Sequence, residues 1–150
     1  MNRFHLGVAA VLLALHADAG AAEPAFFTEP LRAGLQKVSA AISAREYRLD
    51  AARNVYAAYA SRIFKGRLPP LIHAVVVVET TVDELGQARD VKLVRGPSHA
   101  PDVSVAVMEM IRRVALPAPS RLGSGLKFTE IWLVHKDGRF QLDALTEGQD

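Results

Sequence analysis

Residues 74–86 read AVVVVETTVDELG, four consecutive valines running into an alternating stretch that ends at a glycine. Successive side chains of a strand point to opposite faces, so the two parities can be read separately. The even positions Ala74, Val76, Val78, Thr80 and Val82 make the better core face. The odd positions His73, Val75, Val77, Glu79, Thr81 and Asp83 are apolar in the first half only. A strand from about Leu71 to Asp83 is predicted, with its even face inward. Because its first half is apolar on both faces, it is expected at the centre of its sheet. The run is too short to cross a bilayer and is followed by Glu79.

The flanking segments set the order of elements. Arg67-Leu68-Pro69-Pro70 ends any helix and enforces an extended entry. Glu84-Leu85-Gly86-Gln87 reads as a hairpin turn with glycine supplying a positive φ. A second strand follows over Ala88 to Arg95, with Val91 and Leu93 facing one way. After the loop Gly96-Pro97-Ser98-His99, a helix is predicted from about Pro101 to Val114. Val103, Ala106, Val107, Met110, Ile111 and Val114 form its apolar stripe. Asp102 near its start and Arg112-Arg113 near its end suit the helix dipole. Leu116-Pro117-Ala118-Pro119 closes it, and the loop Arg121 to Gly125 leads to a third strand, Lys127 to His135. Lys136-Asp137-Gly138-Arg139 fits a type I′ hairpin, followed by a short strand, Phe140 to Leu145, and a polar tail. The class is α+β: a two-layer ββαβ(β) unit with an antiparallel sheet and one packed helix.

The N-terminal third has a different character. Arg3, an apolar core from Leu6 to Leu15 and the small residues Ala17 to Ala22 have the layout of a secretory signal. Residues 1–22 are therefore expected to be removed after Ala22, with Ala21 the second choice. An uncleaved inner-membrane anchor is the alternative. Residues 23–66 are expected to form an amphipathic helical region, capped by Thr28 with Pro30 in its first turn. Leu31, Leu35, Val38, Ile42, Leu49, Ala52, Tyr56, Tyr59 and Ile63 recur at steps of four and three, skipping Arg45, as far as Lys65 and Gly66. One unbroken helix there would be about 50 Å long. Its seam either folds back on the domain at 67–150 or pairs between chains as a dimer.

A chain of 150 residues that is 50% hydrophobic suits one domain with a core of its own. It has no cysteine, which excludes thiol catalysis, disulfides and cysteine-zinc sites. The net charge of +2 and the lack of a basic, aromatic-interleaved stretch argue against nucleic acid.

The chemistry-bearing residues point to no enzyme. Ser98, His99 and Asp102 are neighbours in sequence, whereas a triad converges through a scaffold. They read as a loop opening a helix, with Ser98 or Asp102 bonding free amides. His73 and His135 are expected to meet if the first and third strands pair antiparallel, but no third ligand accompanies them. No metal or cofactor is expected. Glu79 and Glu130 read as solvated strand positions. Trp132 shares a strand face with Phe128, Glu130 and Val134, and this face is either core or partner-facing.

The segments RLPP, VVVETTVDELGQ, ARDVKLVRG, MEMIRR, LPAPSRLGSGLKF and TEIWLVHKDG occur in that order over Arg67 to Leu145. Together they resemble the C-terminal domain of TonB-type energy transducers, periplasmic domains that engage outer-membrane receptors. The chain differs from those transducers in its cleavable-looking leader, its helical region in place of a long proline-rich linker, and Pro69-Pro70 in place of Tyr-Pro. The resemblance implies a non-enzymatic periplasmic domain that binds an extended segment of an envelope protein by strand addition. An outer-membrane transporter is the partner it suggests. It also implies the partner-binding residues: Pro69, Pro70, Phe128, Glu130, Trp132, Val134 and His135. The alternative function is structural, an oligomerisation protein using the 31–63 helix as its seam.

Overall fold

A computed structural model of the protein describes residues 37–149. The leader at 1–22, the linker, the expected cap at Thr28 and Pro30, and the seam residues Leu31 and Leu35 lie outside the described residues.

The fold is α+β. Its elements are β1 (Val38–Ser39), α1 (Ala44–Ala58), β2 (Ala74–Val82), β3 (Ala88–Arg95), α2 (Pro101–Arg113), β4 (Ala118–Pro119), β5 (Leu126–Val134) and β6 (Phe140–Leu142). The main sheet is antiparallel with order β3-β2-β5-β6, while β1 and β4 form a small parallel pair. The valine strand β2 is central, as its two-faced apolar start demands. Its even residues are buried, and its odd residues are exposed or half-buried.

Pairing of β2 with β5 runs without interruption from Ala74↔Val134 to Val82↔Leu126. Even residues therefore sit opposite even residues, and the inward face of β2 continues as Phe128, Glu130, Trp132 and Val134 of β5. Both helices cover this face. The stripe on α2 is buried as expected, and Val103, Val107, Met110, Ile111 and Val114 join Val76, Val78, Trp132 and Phe140 in one core.

The long helix is not observed. Residues 37–43 are largely extended, with Val38 in β1 and Ile42 65% exposed. The helix begins after Ser43, whose Oγ accepts from the Glu46 N–H, while the Glu46 carboxylate accepts from the Ile42 N–H. This Ser-x-x-Glu arrangement satisfies free amides at both positions, and it outweighs the heptad pattern running through it. After Ala58 the chain tightens into a 3-10 turn at Ala60–Arg62. The buried face of α1 is Tyr47, Ala51, Ala52, Asn54, Val55 and Ala58, packed in the same core as the sheet. Within residues 37–63, then, the seam is not continuous: Val38 and Ile42 are exposed, whereas Ala52 and Tyr59 are buried in the core. Tyr47 Oη donates to Pro117 O (2.7 Å), Asn54 Nδ2 to Ala115 O (3.0 Å) and Tyr59 Oη to Met110 O (2.9 Å). These bonds tie α1 to the end of α2 and the link beyond it.

The two hairpins share one construction. In the first, the Gly86 N–H donates to Asp83 O and the Asp83 N–H to Gln87 O. In the second, the Gly138 N–H donates to His135 O and the His135 N–H to Arg139 O. Only the glycines have positive φ, +81° and +83°. A type I′ turn needs positive φ at both central residues, and Asp137 does not supply it. The turn is instead a three-residue loop closed by a glycine bulge.

Candidate functional site

The seven residues expected to contact a partner are divided by the structure. Phe128, Glu130, Trp132 and Val134 are all buried, Trp132 to 1% exposure. The register with β2 turns them inward under α1 and α2. Their side chains are core, not a partner-facing surface. Trp132 stacks at 4.6 Å on Phe140, and Phe128 meets Tyr47 edge-on at 5.4 Å.

Glu130 corrects the solvated reading given to it in the sequence. Its side chain is 6% exposed. Arg48 Nη2 reaches Glu130 Oε1 at 2.7 Å and Asp143 Oδ2 at 2.6 Å, bridging the core carboxylate to the C-terminal segment. The Ile131 N–H also donates to Oε1, at 2.9 Å. Among the described residues Glu130 Oε2 has no hydrogen-bond partner, nor has Trp132 Nε1. Burial pushes the Glu130 carboxyl above its usual range, and the Arg48 hydrogen bond offsets this only in part. Glu79 does face solvent, with Lys127 Nζ 3.9 Å away.

The remaining three expected residues, Pro69, Pro70 and His135, gather at one end of the sheet. There the proline entry, the start of β2 and the end of β5 enclose an open cleft of about 450 Å³. Pro69, Leu71 and Ile72 form its apolar wall, and His73, His99, His135 and Lys136 the polar one. Pro70 is exposed beside it, and Leu71 is 90% exposed. A second cleft of about 350 Å³ adjoins it, sharing Ile72, His73 and His99 and adding Val75, Arg95 and Pro97.

The walls are held from behind. Leu68 is fully buried, and its N–H donates to Gly148 O at 2.9 Å. Buried Gln141 donates from Nε2 to Phe64 O (2.9 Å) and Gly66 O (2.7 Å), and its Oε1 accepts from Thr146 Oγ1 (2.8 Å). Two prolines on so fixed a stem limit the conformations open to the wall.

The histidines share the cleft without forming a metal cluster. His73 packs edge-on to His99 at 5.4 Å, and His99 Nε2 donates to His73 O at 2.8 Å. His135 instead lies against Phe64, with Nδ1 2.8 Å from Asp137 Oδ1. Among the described residues no group of three or more His, Cys, Asp or Glu is placed to hold a metal. The expected side-chain cap before α2 is absent. Ala100 is the N-cap, without a side-chain bond, and Pro101 begins the helix where a missing N–H is harmless.

Sequence reasoning missed His99 as a cleft residue, because sequence does not show the return of the 96–100 loop to the start of β2. The chain matches no protein-family model, no curated protein and no solved structure.

Proposed function

We propose that the protein is a non-enzymatic periplasmic binding domain of TonB C-terminal type, receiving an extended segment of an envelope protein such as an outer-membrane transporter. The observation that carries this reading is the open cleft at Pro69, Leu71, Ile72 and His135, with Leu71 held 90% exposed on a pinned proline stem. A preformed apolar wall lowers the ordering cost of taking up a peptide. Single exposed apolar residues are ordinary, but one projecting at the lip of a concave, partly apolar site marks a contact surface. The signal-like N-terminus supports export. Among the described residues no helix is long and apolar enough to cross a membrane.

Strand addition is a second mode, favoured by the sheet edges. Among the described residues the outer edge of β3 is open, but it carries bulges at Arg89 and Val94 and the charges Arg89, Asp90, Lys92 and Arg95. Bulges and charges are the usual protection of an edge against added strands. On β5, β6 pairs only with Trp132–Val134, so Leu126–Ile131 lack a strand partner on that side among the described residues. The 3-10 turn at Asp143–Leu145 packs against β5 beside Glu130, so a partner strand would be taken up at Leu126–Thr129 and not on β3.

A photo-reactive residue placed at position 71, 129 or 105 of the full chain tests both modes in cells. Cross-links from 71, mapping to an extended segment of an outer-membrane protein and absent from the exposed helix position 105, are expected. Cross-links from 129 alone would move the site to the β5 edge. Equal capture from all three positions would refute a specific site.

A further inference from the structure

The two adjoining clefts carry a charge bias that the whole chain lacks. The protein has 18 Lys and Arg against 16 Asp and Glu. Yet no Asp or Glu lines either cleft, whereas Lys136 stands in the first and Arg95 in the second. Among the described residues, Lys136 and Arg95 form no ion pair. Asp137, next to Lys136 in sequence, is already engaged by Arg139 (2.7 Å) and His135 (2.8 Å). The two cations are thus uncommitted.

Between them the surface is apolar or imidazole. Ile72 and the His73–His99 pair are common to both clefts, with Pro69 and Leu71 on the Lys136 side and Val75 and Pro97 on the Arg95 side. In an extended peptide, side chains two residues apart point the same way and stand about 6.6 Å from each other. That spacing is comparable to the 5.4 Å between the ring centroids of the edge-on His73–His99 pair.

We propose that the paired clefts take an extended acidic–apolar peptide, with apolar side chains at alternate positions seated on either side of the His73–His99 pair and flanking carboxylates directed to Lys136 and Arg95. This rests on the protein-binding reading above and adds the chemistry of the partner. The apolar contacts supply affinity. The two exposed cations select sign and speed encounter, as charges at an interface rim do.

The test uses the full chain and short fluorescent peptides with valine at alternate positions, flanked by Asp, Asn or Lys, read by anisotropy. The Asp peptide is expected to bind about tenfold more tightly than the Asn peptide and the Lys peptide most weakly, with the difference shrinking at high salt. In the Lys136→Gln/Arg95→Gln protein, Asp and Asn peptides should bind alike. In Leu71→Ser both should weaken together. All three sites are exposed, and unchanged circular dichroism will confirm that each variant folds. Equal binding of Asp and Lys peptides, or Asp-peptide binding untouched by either variant, overturns the proposal. If no peptide binds while position 71 still cross-links to an envelope protein, the partner chemistry is wrong and the functional reading stands. Failure of both experiments removes both.

Discussion

At the scale of the residue, Glu130 and Gln141 show two ways of burying polarity. Glu130 costs the fold desolvation that Arg48 does not fully offset, so its carboxyl titrates above the usual range. Its folded pKa lies above its unfolded one, and the folded state binds the extra proton more tightly. Stability should therefore rise as pH falls from neutral through that raised pKa toward the ordinary Glu value of about 4.3. Asp83 and Asp137 act in the opposite direction. Backbone amides, chiefly that of Gln87, and Arg89 lower Asp83; Arg139 and His135 lower Asp137. Their contribution is complete above about pH 5 and is lost progressively as pH falls further. Urea denaturation across this range should give a stability maximum below neutrality, and Glu130→Gln should remove the rising arm while keeping the acid loss. A variant profile parallel to wild type would refute the assignment.

Gln141 is satisfied where Glu130 is strained. It has hydrogen bonds to Phe64, Gly66, Thr146 and Glu147. Gln141→Leu would orphan two carbonyls behind the cleft wall. A loss of about 1–3 kcal/mol is expected in the same denaturation assay. Hydrogen exchange should also quicken over 66–70, and unchanged exchange there would show that the wall is held by something else.

At the scale of the element, boundaries follow local hydrogen-bond chemistry more closely than hydrophobic period. The steps of three and four from Val38 to Ile63 suggest one helix, but Ser43 and Glu46 start it and the 3-10 turn ends it. Ser43→Ala should cost about 1 kcal/mol, seen as a lowered urea midpoint. Full stability in that variant would mean that packing of Tyr47 and Val55 alone fixes the start. The 83–87 turn is subject to a second constraint. A Cβ on Gly86 would come within 2.2 Å of Leu116 O, at a φ of +81°. Gly86→Ala should lose roughly 2 kcal/mol or more, since both the left-handed conformation and the close approach oppose it. A loss of only a few tenths would show that the 115–117 link can move aside.

At the scale of the molecule, α1 is part of the core and not a separate arm. Tyr47, Ala51, Ala52 and Val55 pack with Val78, Phe128 and Trp132; two hydrogen bonds tie the helix to the link after α2, and a third joins Tyr59 to α2 itself. The helix and sheet should therefore unfold together. Trp132 fluorescence and far-ultraviolet circular dichroism should give coincident denaturation curves. Two separated transitions would contradict a shared core.

The sequence by itself determined the elements whose signals are local. Alternation in β2, the stripe on α2, the glycine turns and the proline break each act over a few residues, and each appears where the pattern places it. The central position of β2 also followed, because a strand apolar on both faces has little stability at an edge. Tertiary structure decided which face of β5 is buried, because Phe128, Glu130, Trp132 and Val134 alternate with Thr129, Ile131 and Leu133. Both faces are mixed, and only the register with β2 distinguishes them. It also decided the ends of α1, where a capping contact overrode a longer period. The cleft is tertiary in the same sense. Pro69, His73, His99 and His135 are brought together by strand pairing and by a returning loop, and no spacing in the chain encodes that meeting.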